Sequence, residues 1–325
     1  AEIGVIMLMF LAGLDTDIKE INRNKVACIV VACIGVAVPL IGGTACYYFF
    51  FEAGASDYLS ILKAVFVGVV LTATSVSITV EALREMGKLE GKVGNVILGA
   101  AVIDDIIGII VLTIVTSLKD NSVSIVMVLL KIVLYVLIMG VLGFLISKNK
   151  KFIDKNLKKQ RITTYIFALC LLIAFASEHF FGVADITGAY LLGLFFSAHE
   201  IKGEVARKVN VPSYLFFSPI FFASVGLKVE LEDMTGSIII FSLILLTVAI
   251  VTKIVGCGLG ARLCGFTNRE ALQVGVGMVS RGEVALIVAQ KGYSLGLLDA
   301  AIMPAVVLVV IATTILTPVI LKKIM

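Results

Sequence analysis

Two adjacent aspartates are the residues of this 325-residue chain whose placement most directly predicts chemistry. Asp104 and Asp105 lie near the middle of the apolar segment 93–118. If that segment is a helix, about 16–20 Å of apolar chain separates the pair from either end. A charged side chain at the centre of a bilayer costs about 2.5–3.5 kcal/mol on insertion scales, so such residues are usually functional. The pair therefore predicts a site for cations and protons.

A lysine in another apolar segment is the natural partner of this pair. Lys253 lies nine residues before Arg262, which follows the apolar segment 237–261. That spacing places Lys253 about 13 Å deep along a helix, too far for its side chain to reach water comfortably. A buried ammonium needs a carboxylate, and a buried carboxylate needs a cation. We expect Lys253 to pair with one of the two aspartates.

Two further apolar segments carry polar residues at their middle. Thr72, Thr74 and Ser75 offer hydroxyl oxygens in the first, and unwound backbone there would add the carbonyl oxygens that cations prefer. We predict that these three residues help to bind the cation; hydrogen bonding between helices is the alternative use of such hydroxyls. In the second segment, Arg281 and Glu283 are predicted to hold a matching break together electrostatically, with ligation as the alternative.

The composition identifies the elements that must position these side chains. Hydrophobic residues make up 60% of the chain and charged residues 15%, against about 45–50% and 25% in soluble domains. This composition excludes a soluble enzyme, a disordered regulator and a nucleic-acid binder. We predict an all-α polytopic membrane protein, neither an enzyme nor a partner of nucleic acid. Eleven apolar segments are its candidate transmembrane helices: 1–14, 25–51, 59–83, 93–118, 123–147, 161–181, 184–200, 211–227, 237–261, 270–291 and 298–321.

The basic residues predict how these helices are oriented. With residue 1 outside, 20 of the 27 Lys and Arg residues fall in one set of alternate loops, 4 in the other set and 3 within segments. Lys and Arg concentrate in cytoplasmic loops. We therefore predict a multi-pass protein of the plasma (inner) membrane whose basic loops are cytoplasmic. The basic run 148–161 anchors this side and is a candidate contact for anionic lipids.

The order of features predicts an internal inverted repeat. The stretch 10–15 is similar to 222–227, and each is followed by a long apolar segment and then by one with polar residues at its middle. Corresponding segments are seven apart, an odd number, so the two copies would have opposite topology. Inverted repeats with interrupted helices are typical of secondary transporters. Chance similarity among apolar helices is the alternative.

These residues resemble the cation:proton antiporter-2 family, and most of all its NapA-type Na⁺/H⁺ antiporters. The resemblance is carried by Asp104-Asp105, Lys253, the run from Thr72 to Ser75 and the run from Ser280 to Glu283. It implies an NhaA-like fold of thirteen helices with two crossed, unwound helices. This chain would then lack the first two helices, as its start inside an apolar segment also indicates.

The resemblance also implies domains and an elevator-like mechanism in a homodimer. Residues 1–24 and 150–236 would form the dimerisation (scaffold) domain, 25–118 and 237–321 the core ion-transport domain, and 119–149 a linker helix. Asp105 would be the main Na⁺ ligand. Asp104 would form a salt bridge to Lys253 that breaks when the cation binds, and the paired aspartate is associated with electrogenic exchange.

The expected function is therefore exchange of Na⁺ or Li⁺ for H⁺, with the ions as substrates and no cofactor. The main alternative is a K⁺/H⁺ exchanger or K⁺ efflux system of the KefC type. That branch typically has Gln-Asp where this chain has Asp104-Asp105. A passive cation channel or an organic-anion symporter on the same architecture are the remaining alternatives. A channel usually needs a continuous pore or ring symmetry, and an organic anion would need more base than acid at mid-membrane.

Overall fold

The computed structural model describes residues 2–16, 18–52, 57–119, 125–150, 162–199, 202–212, 215–216, 220 and 236–325. This part of the chain is almost entirely helical and contains no β-strand, as the all-α prediction requires. In chain order its α-helices are α1 (Glu2–Asp15), α2 (Ile18–Arg23), α3 (Lys25–Phe51), α4 (Tyr58–Thr72), α5 (Val76–Glu85), α6 (Lys92–Ser117), α7 (Ile125–Lys148), α8 (Ile162–Phe181), α9 (Asp185–Phe196), α10 (Lys202–Pro212), α11 (Gly236–Leu263), α12 (Asn268–Gly277), α13 (Glu283–Ser294) and α14 (Met303–Ile324).

Seven helical segments within these ranges are long and apolar enough to cross a membrane. They are 25–51, 58–85, 92–117, 125–148, 164–181, 236–263 and 300–324, and two shorter apolar helices lie at 6–15 and 185–196. The predicted segment 270–291 is divided between α12 and α13. Most of the segment 211–227, including the repeat at 222–227, lies outside the described residues. The count of eleven therefore stays a prediction.

The chain divides into two compact units. Unit 1 comprises residues 1–23, 89–95 and 126–224, and unit 2 comprises 24–88, 96–125 and 225–325. Unit 2 thus holds both segments with polar residues at their middle, together with the aspartate pair and the deep lysine. The roles of scaffold, core and linker stay predictions.

Unit 1 is built around α1. Its apolar side chains Phe10, Leu11 and Leu14 are buried against Leu192 and Phe196 of α9. From Ile3 to Leu14, α1 is apolar on all its faces, which is typical of a helix buried inside a membrane protein. Since α1 is short, its stability comes from this packing rather than from its length.

Unit 2 is built on α3, which packs along both α4 and α11. Phe66, Leu71, Phe241 and Leu245 form the centre of its apolar core. The ends of the helices are set by local sequence. Thr267 caps α12, because its side chain accepts the N–H of Glu270 while the Glu270 carboxylate accepts the N–H of Thr267. This capping box fixes the start of the segment that carries the second polar run.

Close contact between α1 and α9 gives the first testable expectation. A Cβ on Gly193 would overlap the carbonyl oxygen of Phe10 and lie 2.9 Å from the nitrogen of Leu14. Gly193→Ala should therefore push the two helices apart, and forced overpacking costs about 1–3 kcal/mol. We expect a thermal midpoint several degrees lower in detergent. Gly140→Ala in α7 is the matched control, because a Cβ there meets nothing within 4 Å. Equal midpoints for the two variants would contradict the packing described.

Candidate functional site

Two interrupted helices cross at the centre of unit 2. The first break separates α4 from α5 at residues 73–75, and the second separates α12 from α13 at residues 278–282. The breaks are joined directly: the N–H of Ser75 donates to the carbonyl of Ser280 at 2.8 Å, and the Ser280 hydroxyl donates to the carbonyl of Ser75 at 2.6 Å. Both polar runs singled out in the sequence are therefore interruptions, and they face each other.

These hydrogen bonds explain how unwound backbone is tolerated in an apolar surrounding. Non-helical backbone at membrane depth must be satisfied by other protein groups or by a water-filled cavity. The Thr79 hydroxyl donates to the carbonyl of Gly277 at 2.7 Å, at the end of α12. It also lies 2.9 Å from the Ser280 hydroxyl. Each interrupted helix thus supplies hydrogen-bond partners for backbone groups at the break in the other helix.

An ion pair lies beside this crossing. Lys253 on α11 and Asp104 on α6 have side chains 0% and 2% exposed, and the lysine Nζ is 3.0 Å from the Asp104 Oδ1. The other carboxylate oxygen, Oδ2, accepts the Thr74 hydroxyl at 2.7 Å. The lysine Nζ also donates to the carbonyl of Gly35 at 2.9 Å. Both oxygens of Asp104 are therefore engaged, by a cation and by a group from the first break.

Asp105 occupies a different environment from its neighbour. It follows Asp104 on α6, so its side chain leaves the helix about 100° further round. It is partly exposed, whereas Asp104 is buried. The two carboxylates thus differ in environment: Asp104 is buried in an ion pair, and Asp105 is partly accessible from outside the protein.

The hydroxyls predicted as ligands separate in the same way. Thr74 contacts Asp104. Thr72 donates to the carbonyl of Val69 at 2.8 Å, one turn earlier in its own helix. The Ser75 hydroxyl lies 3.2 Å from that of Ser77. Of the three, Thr74 is the residue that the structure brings to the aspartate.

Arg281 is buried in the second break, with 1% of its surface exposed. Its Nη1 donates to the carbonyl of Val279 at 3.3 Å, while its Nε and Nη2 have no hydrogen-bond partner among the described residues. Its charge lies just past the end of α12, where the helix dipole favours a cation. Its backbone is fixed by α14, since the N–H donates to the Thr313 hydroxyl and the carbonyl accepts that of Thr314. Glu283 begins α13, but its side chain lies outside the described residues.

Two groups at the site were not singled out from the sequence. The first is the carbonyl of Gly35, which no side-chain pattern reveals. The second is the Thr313-Thr314 pair, whose hydroxyls in an apolar segment are a weak signal that a polar backbone lies nearby. Both act on residues that the sequence did single out, Lys253 and Arg281.

Comparison with known proteins decides the family. The family model described as "Sodium/hydrogen exchanger, transmembrane" matches residues 1–325. The chain belongs to this family. Among curated relatives, the Na(+)/H(+)-K(+) antiporter GerN of Bacillus cereus is 40% identical, covering 99% of this chain and 81% of the relative. The probable Na(+)/H(+) antiporter GerT of the same species is 42% identical over 99% of this chain and 84% of the relative. An Na(+)/H(+) antiporter of Enterococcus hirae is 34% identical over 99% and 83%.

A solved structure of a sodium proton antiporter shows the same fold. The electron-microscopy structure of the sodium proton antiporter MjNhaP1 from Methanocaldococcus jannaschii matches with a TM-score of 0.72 at 16% identity, covering 98% of this chain and 81% of that one. At that identity the likeness concerns fold alone. Membership confirms the antiporter family and the helical antiporter fold predicted from the sequence, and it makes the chain a multi-pass membrane transporter.

Proposed function

We propose that this chain exchanges Na⁺ or Li⁺ for H⁺, with protons and the metal cation competing for Asp104 and Asp105. One observation carries the proposal: a buried ion pair and a partly exposed carboxylate adjoin each other beside two crossed, interrupted helices. A stable scaffold gains little from such a pair, because apolar residues of similar volume are often as stabilising. A site that must change its charge does need it.

The proposed exchange depends on the partners of Asp104, which are Lys253 and Thr74. Na⁺ requires oxygen ligands, and the two carboxylates and the Thr74 hydroxyl supply them at this site. When a cation approaches Asp105, Lys253 gives up the Asp104 oxygen 3.0 Å from it. When protons bind instead, the same ion pair is broken by neutralising the carboxylate. Protons and Na⁺ therefore compete for the same pair of carboxylates.

Alternating access is proposed to be elevator-like and electrogenic. Both interruptions, the aspartates and Lys253 belong to unit 2, so a movement of that unit would carry the complete site. Two protons exchanged for one Na⁺ would move one net charge per cycle. We propose a homodimer in the plasma membrane. At the crossing, Arg281 and Glu283 are proposed to hold the second break together electrostatically.

The geometry of unit 1 supports the proposal that the basic loops are cytoplasmic. Four loops that the charge pattern places on the cytoplasmic side contribute to one polar cavity in that unit, lined by Asp15, Lys19, Glu90, Lys150, Ser197 and Lys202. Loops on a common side would meet in this way. Lys202 lies 3.6 Å from Glu90 there.

A second candidate is K⁺/H⁺ exchange. One specific observation favours it: GerN, 40% identical to this chain, is named an Na(+)/H(+)-K(+) antiporter. Oxygen ligands serve both cations, so K⁺ belongs in every assay.

The decisive experiment is cation-induced proton efflux from acid-loaded proteoliposomes containing the full-length protein, with the membrane potential clamped at several values. We expect Na⁺ and Li⁺ to drive proton efflux, and the rate to change with potential because each charge moved is worth about 2.3 kcal/mol per 100 mV. Response to K⁺ alone would support the second candidate. Na⁺ flux without coupled proton movement would overturn the antiporter and indicate a channel.

A further inference from the structure

Pro39 lies inside α3, fourteen residues into a helix that runs from Lys25 to Phe51. A proline has no N–H, so it removes the helical hydrogen bond to the carbonyl four residues earlier. In α3 that carbonyl belongs to Gly35. In an apolar surrounding an unsatisfied carbonyl is costly, so a partner from another helix is required.

That partner is Lys253. Its Nζ donates to the Gly35 carbonyl at 2.9 Å, and the same Nζ lies 3.0 Å from Asp104. Gly35 also sets the approach of the two helices, because a Cβ there would overlap the Sγ of Cys257 on α11. The proline opens the acceptor, and the glycine lets α11 come close enough to use it.

We propose that Pro39 is a positioning residue whose freed Gly35 carbonyl is the constant acceptor of Lys253 during exchange. This inference rests on the proposed function, in which Asp104 is given up to a proton or to Na⁺. At that moment the ammonium, 0% exposed, loses its carboxylate and keeps the Gly35 carbonyl as an acceptor. A backbone carbonyl is neither protonated nor displaced at any pH of the assay, so it holds the charge while Asp104 is occupied.

Pro39→Ala tests this directly. Alanine is the best helix former and restores an N–H that competes for the Gly35 carbonyl. Displacing Lys253 from Asp104 then costs more, because a hydrogen bond to a charged group is lost in the displaced state. We expect the KM for Na⁺ in proteoliposomes to rise about tenfold, with a smaller change in maximal rate. Pro39→Val restores the same N–H with a side chain nearer to proline in size and should give the same result.

Two controls separate this role from a general effect on the helix. Pro318→Ala removes a proline from inside α14 and should leave the KM for Na⁺ unchanged. In a Lys253→Met background, Pro39→Ala should add nothing to the KM. An unchanged KM in both Pro39 variants, or an equal rise with and without Lys253, overturns the proposal.

Thermal stability tests the contact between Lys253 and the Gly35 carbonyl without a transport assay. In detergent, the midpoints of Pro39→Ala, Lys253→Met and the double variant should be non-additive, as expected for residues acting on one hydrogen bond. Additive midpoints overturn the role of Pro39. Non-additive midpoints in a protein whose wild type moves no protons in response to cations would keep the contact and overturn the proposed function.

Discussion

Replacing Asp105 with asparagine is expected to abolish cation-driven proton movement while leaving the fold intact. Asparagine has nearly the same shape, but it carries no charge and takes up no proton in the range of the assay. Asp105 is partly exposed, whereas Asp104 is held by Lys253 and Thr74. We therefore expect the partly exposed carboxylate to be the first ligand that an arriving cation meets. The proteoliposome assay with Na⁺, Li⁺ and K⁺ measures the loss.

Asp299→Asn is the matched control for this variant. Asp299 forms an ion pair with Lys63 at 3.1 Å, and its side chain is 54% exposed. Such surface pairs contribute little, about 0–1 kcal/mol, so exchange should continue at the wild-type rate. Full exchange in Asp105→Asn would remove Asp105 from the site. Loss of exchange in both variants would show instead that the assay responds to any lost carboxylate.

The sequence predicts the charged part of the site well because charges in apolar segments have few solutions. A lysine and an aspartate buried at similar depth stabilise each other, and the structure places Lys253 and Asp104 3.0 Å apart. Arg281 could be located at a break by the same argument, although the groups that fix its backbone could not. The family resemblance adds the roles of these residues, which remain proposals.

Hydroxyl partners could not be predicted because a serine or threonine in a helix has an alternative acceptor nearby. Thr72 uses the carbonyl of Val69 in its own helix, while Thr74, two residues later, lies in the extended break and reaches Asp104. Only the exact end of α4 distinguishes the two. The apolar segment 270–291 illustrates the same limit, since hydropathy gives its length but not the interruption between α12 and α13.

Replacing Lys253 with methionine is expected to change the pH dependence and voltage dependence of exchange more than the fold. Methionine fills a similar volume, and the Asp104 left behind keeps its hydrogen bond from Thr74. The carboxylate then binds a proton or Na⁺ without first displacing an ammonium. The charge moved per cycle and the pH at which exchange is half-maximal should both differ from the wild type. Rates measured across pH at several clamped potentials give both quantities.

Replacing Asp104, the other member of the ion pair, distinguishes the effect of the pair on transport from its effect on stability. Asp104→Asn leaves the Lys253 ammonium buried between the Gly35 carbonyl and a neutral amide, without the negative charge that paired with it. Breaking a buried pair in this way costs about 3–5 kcal/mol, whereas removing both charges together is often neutral. Asp104→Asn should therefore lower the thermal midpoint more than Asp104→Asn combined with Lys253→Met does. An unchanged pH profile with intact voltage sensitivity in Lys253→Met would make the pair a structural contact. The pair would then affect only the thermal midpoints of these variants.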